Sequence, residues 1–151
     1  MQVILMSIKP KYAEKIILGS KTVELRRVAP NLDKSEVILI YESSPVKAIT
    51  GYAFISQITR SSPSEVWAQY AREAQISKDD FDEYYHGTEH AFAIHISEAA
   101  RFAEPISLAD LRNDQILLNP PQSYCYLALK DFGKEIGQKI DSVKRRNVVA
   151  A

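Results

Sequence analysis

A chain of 151 residues has the length of one domain, and a composition of 46% hydrophobic and 25% charged residues is ordinary for a globular protein. Nineteen basic and nineteen acidic side chains cancel to a formal net charge of zero, which excludes a protein coated uniformly with positive charge for nucleic-acid binding. A single cysteine likewise excludes a disulfide scaffold.

The charges are unevenly spread along the chain. Residues 1–60 carry nine Lys and Arg against five Asp and Glu, residues 61–100 carry two against eight, and residues 101–151 carry eight against six. A local basic cleft is therefore compatible with the zero net charge, because a phosphate group responds to charges within a Debye length of about 8–10 Å. The lack of a long apolar run and of a signal peptide predicts a cytoplasmic protein with no membrane partner.

The chain begins with a predicted strand and a predicted helix. Residues 2–8 are largely apolar, as is typical of a buried strand. Pro10 suits the first turn of a helix that runs to Leu18. Gly19 is the expected end of that helix, because glycine tolerates the left-handed backbone conformation in which helices commonly stop.

The next predicted strand, residues 21–27, is unusually rich in charge. Strand alternation predicts that Val23 and Leu25 are buried and that Glu24 and Arg26 share the opposite face. We expect Glu24 and Arg26 to face a common cleft and to contact each other. The alternative is an exposed edge strand whose charges block association between sheets.

Two longer strands follow. Residues 36–41 are so continuously apolar that both faces of this strand should be covered, as in the centre of a sheet. Residues 47–58 form a second strand, in which Gly51 marks a bulge or a sharp bend. Because bent strands allow a sheet to close, this pair predicts a barrel-like sheet.

Helix caps and alternation predict four helices and two strands in the rest of the chain. The helices are expected over residues 63–73, 78–86, 108–112 and 131–143. The strands are expected over residues 89–97 and 124–129. We expect one domain, residues 1–143, followed by a frayed basic tail, residues 144–151.

Reactive side chains collect where the predicted backbone turns, which is where fixed scaffolds commonly present functional groups. For Tyr41, Lys47 and Ser123 taken singly, a structural role is the simpler explanation: the end of a core strand, a solvated lysine and a helix cap. The histidines lack a metal-binding spacing, and neither a phosphate-binding glycine loop nor a nucleophile motif is present. No metal or other cofactor is therefore expected.

Three stretches carry a resemblance to a known family. Gly19-Ser20-Lys21-Thr22-Val23-Glu24-Leu25-Arg26 resembles the G-x-K-x-x-E-x-R motif of the ASCH domain family, part of a PUA-like superfamily associated with RNA. Residues 41–47 and 120–124 resemble the longer bacterial and archaeal members, and the match spans about residues 4–127 in the right order. The resemblance implies an α+β fold, a PUA-like partly open β-barrel of about five to six strands with flanking helices.

The resemblance also implies a function. Some longer members cleave single-stranded RNA with a Tyr, a Lys and a Ser, which fall on Tyr41, Lys47 and Ser123. Shorter relatives hydrolyse the acetyl amide of N4-acetylcytidine with a Lys and a Thr of a related motif; Lys21 matches that Lys, but Glu24 occupies the place of the Thr. A module that binds RNA, a nucleotide or a nucleoside without catalysis is a third alternative.

The ribonuclease hypothesis is chemically coherent without a metal. Attack of a ribose 2′-oxygen on its phosphate requires proton removal, neutralisation of a charged phosphorane and protonation of the leaving oxygen. Lys47 would neutralise the phosphorane, Tyr41 would transfer a proton if that ammonium lowered its pKa, and Ser123 would donate a hydrogen bond to a phosphoryl oxygen. The binding cleft is expected to contain Lys21, Glu24, Arg26, Ser43, Ser44 and Gln122.

Overall fold

A computed structural model describes residues 1–134 and 136–142 of the chain. The strands are β1 (Gln2–Ile8), β2 (Val23–Arg26), β3 (Val37–Glu42), β4 (Ala48–Ser61), β5 (Ala91–Ser107) and β6 (Tyr124–Ala128). The helices are α1 (Pro10–Leu18), α2 (Pro63–Ala74), α3 (Lys78–Tyr85) and α4 (Leu108–Asn113), and a 3₁₀ turn spans Leu129–Asp131. Residues 136–142 are also helical.

All six strands belong to one mixed sheet in the order β2-β5-β4-β3-β1-β6. β1 and β3 are parallel, and Ser7 pairs with Tyr41. β6 runs antiparallel to β1, with Met6 opposite Tyr124. The ends of β1 and β3 and the start of β6 therefore lie side by side along one edge of the sheet, the edge that strand ends form. They come from three distant parts of the sequence.

Two long, bent strands curl the sheet into a partly open barrel. β4 has 14 residues and β5 has 17, and their register shifts between Ile49 and Gly51 and again near Ile55. A Cβ atom on Gly51 would lie 2.4 Å from the carbonyl oxygen of Ala100, so only glycine fits this close strand approach. The bend predicted at Gly51 is confirmed.

Side chains bridge the gap between β2, at one edge of the sheet, and the strands β1 and β6 at the other. Arg26, at the end of β2, donates from Nη2 to the carbonyl oxygen of Ser7 at 2.8 Å. In the loop after β2, the carbonyl oxygen of Ala29 accepts from the Tyr124 hydroxyl at 2.9 Å, and the Asn31 N–H donates to the Tyr126 hydroxyl at 2.7 Å. These contacts hold the barrel at its open seam.

Strand alternation divides the apolar residues between the two faces of the sheet. Leu5 and Leu39 belong to a core cluster on one face, and their neighbours Ile4 and Ile38 belong to a cluster on the other. A third cluster packs β2 against α2 and α3 and contains Val23, which is 1% exposed, and Leu25, which is 6% exposed. The predicted inward face of the β2 strand is confirmed.

Three serine caps and one glycine stop set the helix boundaries as predicted. Gly19 ends α1 with a φ of 87°. Ser62, Ser77 and Ser107 each accept a hydrogen bond from the backbone N–H three residues later, at 3.3, 3.1 and 3.1 Å. Within the described residues, no helix is long and apolar enough to cross a membrane.

Two predicted elements differ from the structure. The strand expected over residues 89–97 runs from Ala91 to Ser107, because bulges against β4 reset the alternation that a strand of even period would show. The last helix, expected from residue 131, is preceded by a 3₁₀ turn at Leu129–Asp131. The predicted tail, residues 144–151, lies outside the described residues.

Candidate functional site

A cavity of about 810 Å³ opens between β2 and the edge where β1 ends. Its charged lining, among the described residues, consists of five Lys and Arg side chains and three Asp and Glu side chains. They are Lys9, Lys11, Lys21, Arg26, Arg27, Glu24, Asp80 and Glu83. We name this space the cationic cavity, because positive charges outnumber negative ones in a chain that is neutral overall.

The carboxylate of Glu24 lies between two cations on the floor of the cationic cavity. Its Oε1 accepts from the Leu25 N–H at 2.9 Å and lies 3.9 Å from Lys21 Nζ. Its Oε2 lies 3.6 Å from Arg26 Nη2 and has no hydrogen-bond partner. Since Lys21, Glu24 and Arg26 are 2%, 6% and 9% exposed, the alternative of a charged, solvent-exposed edge is wrong.

Lys21 is held from three sides. Its Nζ donates to the carbonyl oxygen of Ala74 at the end of α2 and lies 5.2 Å from the centre of the Tyr12 ring. Burial lowers the pKa of Lys21, and this effect exceeds the opposing attraction of Glu24. The amine of Lys21 is thus a fixed and partly desolvated group rather than a mobile surface charge.

Arg26 connects β2 to the edge where β1 and β6 meet. Its Nη1 lies 3.4 Å from Ser123 Oγ, in addition to the bond from Nη2 to the Ser7 carbonyl oxygen. Ser7 in turn donates from Oγ to the carbonyl oxygen of Pro121 at 2.6 Å. The Nε of Arg26 is buried and has no partner. One guanidinium therefore fixes the position of Ser123 and keeps a free donor.

Two tyrosines contribute aromatic surface to the cationic cavity. Tyr12 and Tyr84 are half-buried and line it. Lys11 Nζ lies 4.8 Å from the centre of the Tyr12 ring, and Arg27 Cζ lies 4.7 Å from that of Tyr84. Sequence reasoning missed both tyrosines, and the available signal, which concerns Tyr12 alone, was the basic start of α1 immediately after the end of β1.

The predicted site residues fall into two groups. Ser43, Gln122 and Ser123 line the cationic cavity together with Lys21, Glu24 and Arg26. Ser44 and Lys47 are exposed in the turn after β3 and are not part of the described lining. Tyr41 is 2% exposed and packs in a core cluster with Leu5 and Leu39. The structure thus brings Ser123, but neither Tyr41 nor Lys47, into this cavity.

The environment of Tyr41 differs from the one that the ribonuclease hypothesis required. Burial raises the pKa of the Tyr41 phenol, and Arg112 opposes this shift only in part. A pKa lowered by the Lys47 ammonium was the condition for Tyr41 to accept a proton, and that condition is not met. The raised pKa favours the protonated phenol, which suits a proton donor rather than a proton acceptor.

The histidines do not form a ligand set. Nε2 of His95 lies 2.9 Å from Thr59 Oγ1, and burial lowers the pKa of the His95 ring. His86 and His90 are exposed. In the part of the chain that the structure describes, no three His, Cys, Asp or Glu side chains are grouped closely enough to hold a metal ion.

Comparison with known proteins relates this chain to several others. A family model described as a domain of unknown function (DUF365) matches residues 1–112. An ASCH domain-containing ribonuclease of Zymomonas mobilis is 34% identical over 128 residues, which cover 85% of this chain and 86% of that protein.

Solved structures agree with the sequence match. The crystal structure of ASCH from Zymomonas mobilis has a TM-score of 0.80 and 33% identity, and the alignment covers 93% of this chain and 94% of that one. Large ribosomal subunit protein uL22 of Ureaplasma parvum is 26% identical over 127 residues, but these cover only 39% of that longer protein.

Proposed function

This chain belongs to the ASCH domain family, and on that premise we propose that it binds RNA in the cationic cavity and cleaves single-stranded RNA. The observation that carries the proposal is the 3.4 Å contact between Arg26 Nη1 and Ser123 Oγ, both of which line the cavity. A guanidinium beside a hydroxyl suits the oxygens of a phosphodiester. The relative from Zymomonas mobilis, an ASCH domain-containing ribonuclease by name, supports the same activity.

The distribution of positive charge supports RNA as the ligand. Lys9, Lys11 and Arg27 are exposed at the cavity, whereas Lys21 and Arg26 are buried within it. Exposed cations attract a phosphate backbone over the range of a Debye length, and buried ones hold a group whose position is already set. A nucleotide or nucleoside would engage the buried pair alone. A cytoplasmic location is part of this proposal.

The proposed reaction is attack of a ribose 2′-oxygen on the adjacent phosphorus, which expels the 5′-oxygen of the next nucleotide and leaves a 2′,3′-cyclic phosphate. Ser123 and Arg26 would donate hydrogen bonds to the phosphoryl oxygens as negative charge develops on them. Lys47 would neutralise the phosphorane from the turn that begins at Ser43, a residue of the cavity lining. The attacking 2′-hydroxyl would release its proton to water, and Tyr41, whose phenol has a raised pKa, would donate a proton to the leaving oxygen and regain one from water.

Cleavage of single-stranded RNA in excess EDTA tests this proposal. We expect 2′,3′-cyclic phosphate ends and a loss of about 10²-fold or more in rate for Ser123→Ala, because a donor to the developing charge is removed. Ser56→Ala is the matched control, since Ser56 is exposed and bonds to the carbonyl oxygen of His95 outside the cavity. Activity that EDTA abolishes, or a Ser123→Ala enzyme with the wild-type rate, would contradict the mechanism.

Tyr41 and Lys47 need a test that separates packing from chemistry. Tyr41→Phe keeps the buried ring and removes only the hydroxyl, so the variant should stay folded and lose about 10²–10⁴-fold in rate if the phenol is the general acid. Lys47→Ala should lose rate while the melting temperature stays unchanged, because Lys47 is exposed. Undiminished activity in either variant would remove that residue from the mechanism.

Hydrolysis of an N4-acetylated cytidine is the second candidate function. Lys21 favours it, since this buried lysine lines the cavity and burial lowers its pKa, which makes the amine a better candidate for proton transfer than an exposed lysine. Release of acetate from N4-acetylcytidine, abolished by Lys21→Met, would support this activity. Cleavage of RNA that survives Lys21→Met would favour the ribonuclease instead.

A further inference from the structure

Two buried polar atoms on the floor of the cationic cavity lack partners. They are Glu24 Oε2 and Arg26 Nε, on side chains that are 8% and 11% exposed. Buried polar groups are almost always paired in folded proteins, because an unpaired one loses its hydrogen bonds to water without replacement. Both residues line the cavity, so a bound ligand is the available source of partners.

The two free atoms define a short recognition pattern. A carboxylate oxygen accepts hydrogen bonds, and a guanidinium N–H only donates them. The other oxygen of Glu24, Oε1, already accepts from the Leu25 N–H at 2.9 Å and faces Lys21. The site therefore offers one acceptor beside one donor, and a matching ligand presents a donor beside an acceptor.

We propose that the cavity floor selects a nucleobase with an exocyclic amino group beside an unprotonated ring nitrogen, as in cytosine and adenine. The amino group donates to Glu24 Oε2, and the ring nitrogen accepts from Arg26 Nε. This inference rests on the proposed binding of RNA and names the base that the cavity reads. Direct reading of a base edge is how proteins recognise single-stranded RNA by sequence.

The other two bases fit this floor less well. The Watson–Crick edge of guanine presents its amino group beside a protonated ring nitrogen, and the second donor would have to compete at Oε1 of Glu24 with the Leu25 N–H and with Lys21. The ring N–H of uracil lies between two carbonyl oxygens, and placing it on Oε2 brings one of them towards the carboxylate. Leaving a carbonyl against a buried carboxylate is unfavourable, because neither group can donate.

The aromatic residues supply affinity without selectivity. Tyr12 and Tyr84 line the same cavity, whose volume of about 810 Å³ is enough for either base. Stacking on an aromatic ring tolerates every base, since each base has a π face. The choice between bases then depends on Glu24 and Arg26 alone.

Glu24→Gln tests the inference by replacing the acceptor of the pattern with a donor. The glutamine keeps the volume of the side chain, and its carbonyl oxygen accepts from the Leu25 N–H in place of Oε1. Its amide NH₂ then occupies the position of Oε2 and donates, so the amino group of cytosine or adenine no longer finds an acceptor there. Glu42→Gln is the matched control, because Glu42 is also 6% exposed, pairs with Arg101 at 4.0 Å and is outside the described cavity lining.

The measurement is equilibrium binding of cytidine, adenosine and uridine hexamers that carry 2′-fluoro groups, followed by fluorescence anisotropy at constant salt. The fluorine replaces the attacking hydroxyl, so cleavage cannot interfere. We expect the wild type and Glu42→Gln to prefer cytidine and adenosine over uridine by about 10-fold. Glu24→Gln should lose this preference, because its floor no longer accepts a hydrogen bond from the amino group.

A second probe tests the same contact without any change to the protein. A hexamer of the cytosine analogue that lacks the 4-amino group should bind the wild type about 10-fold more weakly than the cytidine hexamer. Equal affinities for all hexamers, or an unchanged preference in Glu24→Gln, would overturn the selection of amino bases while RNA binding stands. Failure of every hexamer to bind would overturn the proposed function as well.

Discussion

Two cavities on this molecule differ in the sign of their charge. The cationic cavity carries five Lys and Arg against three Asp and Glu in its described lining. A smaller cavity of about 340 Å³, lined in part by α4 and the end of β5, carries Glu104, Asp110, Asp114 and Asp131 against Lys139 alone. We name it the acidic cavity. A net charge of zero over the whole chain therefore conceals one surface that attracts phosphate and another that repels it.

The cavities also differ in how their charges are held. Glu24 and Arg26 are buried on the short strand β2 and contact each other. The four carboxylates of the acidic cavity are exposed, and Asp110 belongs to the first turn of α4, where the helix dipole favours a negative charge. Burying a charge costs desolvation free energy that pairing offsets only in part, whereas exposed charges stay hydrated. This difference supports the proposal that the cationic cavity is the functional site.

The largest expected effect comes from breaking the buried ion pair. Arg26→Met leaves Glu24 with Lys21 as its remaining charged partner and removes the bonds to Ser7 and Ser123, so we expect a loss of about 3 kcal/mol in the free energy of unfolding. Arg101→Met removes the partner of the other buried carboxylate, Glu42, but from a side chain that is 52% exposed.

Because an exposed partner is screened by water, we expect Arg101→Met to lose less than about 1 kcal/mol. Urea unfolding of the two variants beside the wild type measures both values. Equal losses would mean that the buried arrangement around Arg26 contributes no more than a surface contact does.

The next effect tests the charge difference between the cavities. The double variant Lys11→Gln/Arg27→Gln removes two exposed positive charges from the cationic cavity. The slope of log affinity for single-stranded RNA against log salt should become shallower by about 1.4, since each single-strand phosphate contact contributes about 0.7.

Glu104→Gln/Asp114→Asn is the matched control, because it removes two exposed negative charges from the acidic cavity. The slope for this variant should equal that of the wild type. A change in slope of similar size in both double variants would show that the whole surface, rather than the cationic cavity, attracts RNA.

The smallest expected effect concerns pH and Lys21. Burial lowers the pKa of Lys21 in the folded chain below the ordinary value of 10.5, so the unfolded chain binds more protons between those two values. The contribution of Lys21 to the free energy of unfolding therefore rises as pH increases through that window and is lowest below it. The gain is smaller than about 1.4 kcal/mol for each pH unit.

The measurement is the difference in unfolding free energy between the wild type and Lys21→Met as pH rises from neutral towards 10.5. The wild type should gain relative to the variant. A difference that stays constant, or that falls as pH rises, would show that burial does not disfavour the charged form of Lys21.

Local elements of this fold followed from short-range patterns. The helix that ends at Gly19 and the three helices capped by serine were predictable, because a cap involves neighbours three or four residues apart. The length of β5 was not predictable, since its bulges depend on the partner strand β4. A pattern of period two identifies a strand only while the pairing stays regular.

The candidate site likewise has one part that local sequence patterns predict and another that depends on distant segments. Alternation placed Glu24 and Arg26 on one face of a strand, and the structure has them in contact. Ser123 reaches Arg26 across 97 residues of sequence, and no local pattern encodes such a contact. Tyr41 and Lys47 were grouped with Ser123 because all three fall at predicted turns, and their catalytic roles, which the resemblance implies, stay predictions.

The sequence by itself determined which side chains of β2 point together, because the two faces of a strand alternate whatever surrounds them. Only the tertiary structure decided what those side chains meet. The antiparallel pairing of β1 with β6 gathers Ser7 and Ser123 at one edge, and the curl of β4 and β5 brings Arg26 to them. Strand partners and sheet curvature arise from packing between distant segments, so a face full of charge became the floor of a cavity rather than an exposed edge.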